Sequence, residues 1–201
     1  MKTAEWRRLV RPLLPLDRSW GEARHAFYEL PVRWLAVGII GETSRWNTSM
    51  RVHRLASPLV PAFPALVLDL GPPASPTSLN FYDPPELESA VAELLDDVPT
   101  EAEAMEYIAT SVPAQDEKAE TVGYMRYLIG DRSGAEKALV AAQDPGLSRD
   151  WELQRVERVG GMLELLRFGD DDRFIYQLDR WAEETASASK ISRTPAVPSI
   201  S

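Results

Sequence analysis

A chain of 201 residues without cysteine can form neither a disulfide nor a thiolate metal site, and a cysteine nucleophile is excluded. The net charge of −9 works against binding a phosphate backbone, which depends on clustered Lys and Arg displacing counterions, so a basic protein partner is expected and nucleic acid is not. With 44% hydrophobic and 26% charged residues the composition is globular. The longest apolar run, WLAVGII, is far short of the roughly 20 residues that span a bilayer, so the expectation is a cytoplasmic protein with no export signal and no membrane contact.

The charge is unevenly placed. Residues 1–60 hold ten Lys or Arg and five Asp or Glu, whereas residues 61–201 hold twelve and twenty-six. Residues 83–120 alone carry twelve acids and a single base, Lys118.

In chain order, Thr3 is placed to cap a short helix whose apolar stripe is Trp6, Leu9, Val10 and Leu13 and whose other face carries Arg7, Arg8 and Arg11. A turn is expected over 19–21, then a strand over 25–30 and, after Pro31, a second strand over 32–40. In that second strand both alternation sets are apolar or small, as in a strand covered on both faces, and it is placed at the centre of the sheet. Over 46–55 the sets separate into Trp46, Thr48, Met50 and Val52 against Asn47, Ser49, Arg51 and His53, which gives one packed and one wet face. Pro58, Pro61 and Pro64 suit an extended connector to a fourth strand over 66–70, and the stretch 71–82 reads as a loop.

Helix signals begin at Asp83-Pro84-Pro85-Glu86, with the stripe Leu87, Val91, Leu94 and Val98, and recur at 100–103, with Met105, Ile108, Ala109 and Val112. Glu93, Asp96 and Asp97 lie opposite the first stripe, and Glu103, Glu106 and Tyr107 lie away from the second, so the two helices read as an outward acidic pair. The helix over 117–129 is apolar nearly all round and belongs between other elements. The acids Asp170, Asp171 and Asp172 precede the last helix and complement its dipole. The tail from 185 has no apolar periodicity and is expected to be disordered.

Gly123, Gly130, Asp131, Ala135, Leu139 and Ala142 fall at spacings that resemble a tetratricopeptide hairpin over about 115–146. Gly169, Asp170, Phe174, Leu178 and Trp181 echo it 39 residues later. Separately, the first 65 or so residues, with PLLP, FYELPVRWLAVGI and SPLVPAFPALVLDLG, resemble uncharacterised bacterial α+β domains of the immunity-protein type. That resemblance implies a non-enzymatic binding role and brings no catalytic residue.

The expected fold is therefore α+β: a four-stranded, mainly antiparallel sheet with a flanking helix over 1–72, a layer of about six helices in hairpins over 83–184, and a tail over 185–201. The expected function is protein binding through an acidic surface, with Glu93, Asp96, Asp97, Glu103, Glu106 and Tyr107 as partner-binding residues and no cofactor, metal or catalytic set. The partner is expected to be basic, a toxin or secreted effector in the immunity reading. A secretion adaptor or chaperone is an alternative. So is a small metal-dependent hydrolase using His25 and His53 with Glu29 or Glu42 nearby, though no HxH, HxxxH or HExxH spacing is present. A third alternative has the basic first helix neutralise the acidic helices, within the fold or across a homodimer.

Overall fold

A computed structural model describes residues 2–43, 49–61, 77–80, 83–115, 118–143 and 150–195. Among these, β1 (Ser19–Ala23), β2 (Ala26–Leu30), β3 (Leu35–Thr43), β4 (Ser49–Pro58) and β5 (Thr77–Asn80) pair in chain order, every neighbour antiparallel. Helix α1 (Thr3–Val10) and a short 3-10 turn precede the sheet. The helices α2 (Pro84–Asp96), α3 (Glu101–Ser111), α4 (Lys118–Leu128), α5 (Arg132–Ala142), α6 (Asp150–Phe168) and α7 (Asp171–Ser189) follow it, an α+β layout.

The long central strand is where the sequence placed it, buried from Leu35 to Ile39, but it starts three residues later than expected. The stretch 32–34 is not paired as strand, because a side chain from α3 takes its backbone N–H groups. In β4, Val52 is buried and Arg51 exposed, as alternation requires, and from Leu55 both faces are covered. The expected turn at 19–21 is instead strand β1, and the hairpin turns at Arg24, whose φ is +54°. Gly21 has a packing role: a Cβ there would overlap the ring of its cross-strand partner Tyr28, so the glycine leaves that ring space to lie across β1. The expected loop over 71–82 contains β5, an edge strand specified by its pairing with β4 and not by its own composition. The strand expected over 66–70 and most of the proline-spaced connector lie outside the described residues.

Pairing sorts the side chains into two cores. Phe27 stands opposite Ile39, with Val52 on the same face, and these join Trp6, Val10, Leu87, Val91 and Leu95 in a core shared with α1 and α2. Tyr28 and Leu55, both opposite Gly38 and so on the other face, belong to a larger core that continues through α3, α4, α5, α6 and α7.

The two helical hairpins close with the same bonds. Gly130 (φ +90°) and Gly169 (φ +75°) take the left-handed position at the ends of α4 and α6. The following aspartate N–H bonds the carbonyl five residues back, Asp131 to Arg126 and Asp170 to Leu165. Its carboxylate then caps the next helix, Asp131 accepting from Gly134 N and Asp170 from Arg173 N.

The tail expected to be disordered from 185 does not leave the fold there. Helix α7 runs to Ser189, Lys190 caps it in the left-handed conformation, and residues 191–194 return to the sheet as a strap. Ile191 is buried, Ser192 N donates to Tyr28 Oη (2.8 Å) and Thr194 N donates to Val32 O (2.8 Å). Arg193, its side chain 1% exposed, donates to Arg33 O and to Asp179 and lies 5.4 Å above the Trp34 ring. The strap gets its order from long-range hydrogen bonds and one apolar contact, and a 3.6-residue pattern reveals neither. Removing its anchor, Arg193→Ala, leaves Asp179 and the Arg33 carbonyl without that donor. The expected loss is about 2–4 kcal/mol in urea unfolding, and a loss below about 0.5 kcal/mol would show that the strap is not held by this residue.

Candidate functional site

The acidic residues sit on well-made helix ends. Asp83 caps α2 by accepting from Glu86 N (3.5 Å), with two prolines in the first turn where no N–H is needed. Thr100 and Glu103 form a reciprocal capping box on α3: Thr100 Oγ1 accepts from Glu103 N (3.2 Å) and the Glu103 carboxylate from Thr100 N (2.8 Å). Those bonds hold the Glu103 carboxyl below the usual carboxylate range.

With Leu87, Val91, Leu94 and Leu95 turned inward on α2, Glu93, Asp96 and Asp97 are exposed, and so are Glu103 and Glu106 on α3. Asp97 is taken by Arg54 of β4 in an ion pair. Tyr107 is half-buried against the larger core. Among the described residues, Glu93, Asp96 and Glu106 have no cationic partner. The two helices of the acidic pair join different cores, α2 with α1 and α3 with α4 to α7. The short link 97–100 carries the chain from one core to the other, with Arg18 holding Val98 O at 3.1 Å.

Arg7 and Arg11 turn elsewhere. Arg11 binds Glu22 of β1 (2.6 Å and 3.3 Å), and Arg7 stands 3.7 Å from the same carboxylate. Arg11 is the main reason the Glu22 carboxyl titrates below its usual range. Arg18 pairs with Glu29 at 3.6 Å.

Two acids of the acidic segment 83–120 are structural. Glu101 turns its carboxylate onto three successive backbone N–H groups, Arg33 (3.2 Å), Trp34 (2.5 Å) and Leu35 (2.8 Å). Burial pushes its pKa up, and these three donors oppose the shift. Glu120, in the acidic segment by sequence, is 2% exposed. Arg158 of α6 grips it with two bonds of 2.7 Å, Tyr124 Oη donates to it at 2.9 Å, and Trp181 lies under the guanidinium at 5.8 Å. Burial first, and then the charge on Glu120, drives the Tyr124 phenol well above its usual range. The only sequence signal for this buried network was the all-round apolar character of the helix that carries Glu120 and Tyr124.

The histidines do not meet. His25 leans on α1, its Nε2 2.7 Å from Thr3 Oγ1, and its burial lowers its pKa. Thr3 therefore bonds that ring and does not cap α1; Glu5 closes the helix by accepting from Lys2 N (2.7 Å). His53 stands opposite Ile40 in the register that carries Ala26, next to Glu42 (3.6 Å). Since His25 precedes Ala26 in the chain, the two rings point to opposite sheet faces. No group of three His, Asp or Glu placed to hold a metal ion occurs among the described residues. Nor is any described helix long and apolar enough to cross a membrane.

A depression of about 410 Å³ opens between the β2–β3 turn and the first turn of α3. Leu30, Trp34, Leu35, Val37 and Met105 give it an apolar lining, with Glu29, Arg33 and Glu101 around them. Comparison of the chain with protein-family models, with curated proteins and with solved structures found no match.

The geometry of Glu101 makes a signed pH prediction. Its folded-state pKa lies above the ordinary 4.5, so its contribution to stability is fully present below about that value and is lost as the pH rises through the raised value. Glu101→Gln should lack this component, giving a flatter profile of urea midpoint between pH 4 and pH 7 than wild type; an unchanged profile would contradict the assignment. At the buried pair, Glu120→Ala strands the Arg158 charge and is expected to cost about 3–5 kcal/mol. The double change Glu120→Leu with Arg158→Met should recover at least half of that in the same assay.

Proposed function

We propose that this protein is a non-enzymatic interaction module that receives a basic protein partner on the outer sides of α2 and α3. The observation that carries the reading is the disposition of the arginines: Arg7 and Arg11 are bound to Glu22, while Glu93, Asp96 and Glu106 stand exposed with no cationic partner among the described residues. Carboxylates left in solvent raise the association rate of a cationic partner and select against acidic ones. An immunity protein that neutralises a basic toxin in the cytoplasm is one concrete form of this activity, and a secretion adaptor or chaperone for a basic effector is another. The metal-hydrolase alternative is the less favoured reading, since His25 and His53 do not come together on one face of the sheet.

Of the six residues expected to form the surface, Asp97 and Glu103 also have structural duties and Tyr107 is half-buried, so the test uses the other three. The triple reversal Glu93→Lys, Asp96→Lys and Glu106→Lys should leave the urea midpoint within about 1 kcal/mol of wild type. It should also weaken binding of a fluorescein-labelled nona-arginine peptide at least tenfold in fluorescence anisotropy, and the wild-type affinity should fall steeply with added salt. Equal affinity for wild type and the reversal would remove the basis of the proposal.

A further inference from the structure

Resting on the acidic-surface reading, we infer that the depression between the β2–β3 turn and α3 is the anchor pocket for that partner, and that it takes an apolar side chain flanked by Lys or Arg. Three features of the molecule lead to this class of occupant.

The pocket is preformed. Its upper lip is the turn 30–35, and the Glu101 carboxylate fixes that lip by accepting from the N–H groups of Arg33, Trp34 and Leu35. The strap fixes it from behind, through Arg193 on the Trp34 ring and Thr194 N on Val32 O. A lip held from both sides adds little ordering cost on binding.

The lining is apolar, while its surroundings favour cations. Leu30, Trp34 and Met105 would contact the guest side chain over a floor made by the buried Leu35 and Val37, and about 410 Å³ is ample for a Leu or an aromatic ring. Ala102 lines the mouth, and Glu106 follows it by one turn on the same face of α3, exposed and without a cationic partner among the described residues. Neighbouring Glu103 is exposed as well, and no Lys or Arg occurs from Asp83 to Gln115.

The acids on the lining are already committed. Glu29 faces Arg18 and Glu101 faces backbone N–H groups, which leaves the exposed Arg33 as the cation at the rim. Arg33 disfavours a guest whose own cation enters the pocket, so the partner's cations belong outside, toward Glu103 and Glu106. An apolar anchor ringed by charge is the usual energetic layout of a protein interface.

The test uses the full chain and two peptides, acetyl-Arg-Arg-X-Arg-Arg-amide with X as Leu or Gly, followed by fluorescence anisotropy. The Leu peptide is expected to bind about tenfold more tightly than the Gly peptide. Ala102→Trp, a change at an exposed helix position that fills the mouth, should abolish that ratio without moving the urea midpoint. As a check that does not depend on a variant, photo-leucine at X should crosslink to Leu30, Trp34 or Met105 in wild type. Equal binding of the two peptides, or crosslinks confined to other residues, would overturn the pocket; if both peptides still weaken on reversal of Glu93, Asp96 and Glu106, the acidic-surface reading survives alone. No salt-sensitive binding of either peptide would overturn both.

Discussion

Three backbone N–H groups at the head of β3 have no strand to pair with, and one carboxylate from a helix 66 residues further on accepts all of them. This contact sets where β3 begins, because Arg33, Trp34 and Leu35 are drawn toward α3 and not toward β2. It also fixes the start of α3 against the sheet. The apolar stripe of α3 is thereby aimed into the larger core, while α2, one short link earlier, is aimed into the other. An unpaired buried N–H is costly, so a single acid in the first turn of α3 ties that helix to the head of β3.

The helical layer returns to the same turn at its far end. After α7 the chain gives Ser192 N to Tyr28, Arg193 to the Arg33 carbonyl and Asp179, and Thr194 N to Val32 O. The turn 30–35 is thus gripped by the first residues of α3 and by the residues that follow α7. Between those clamps α4 to α7 pack as two hairpins with like turns, tied together by the Glu120–Arg158 pair across α4 and α6. The arrangement resists separation of sheet from helices without a disulfide, which a chain lacking cysteine cannot use.

Charge is segregated by the same geometry. The N-terminal arginines find Glu22 and Glu29 within the sheet half, and Arg54 reaches Asp97 at the junction. In the helical layer Arg132, Arg158, Arg167 and Arg193 are matched to Asp171, Glu120, Glu136 and Asp179. The surplus of acid is left on the outer sides of α2 and α3, where exposed carboxylates repel one another only weakly through water and cost the fold little. That surplus lies near an apolar hollow beside α3, and the two together are what the binding proposal rests on.

Periodicity alone determined the class of fold, the central strand, the helix starts at Asp83 and Thr100, the buried character of α4, and the outward position of Glu93, Asp96, Asp97, Glu103 and Glu106. Each of these is local: a cap, an alternation or a 3.6-residue stripe is written within a few consecutive residues. Only the tertiary structure decided that Ser19–Ala23 and Thr77–Asn80 are strands, that Glu101 and Glu120 are structural, that the histidines point apart, and that residues 191–194 dock. Those outcomes depend on partners from 7 residues away, as with Gly21 beneath Tyr28, to 164, as with Ser192 on that same hydroxyl. A hydrogen bond across such a distance leaves no periodic trace in either segment it joins, so one acid on a helical wheel looks the same whether it meets water, an arginine or a row of backbone N–H groups.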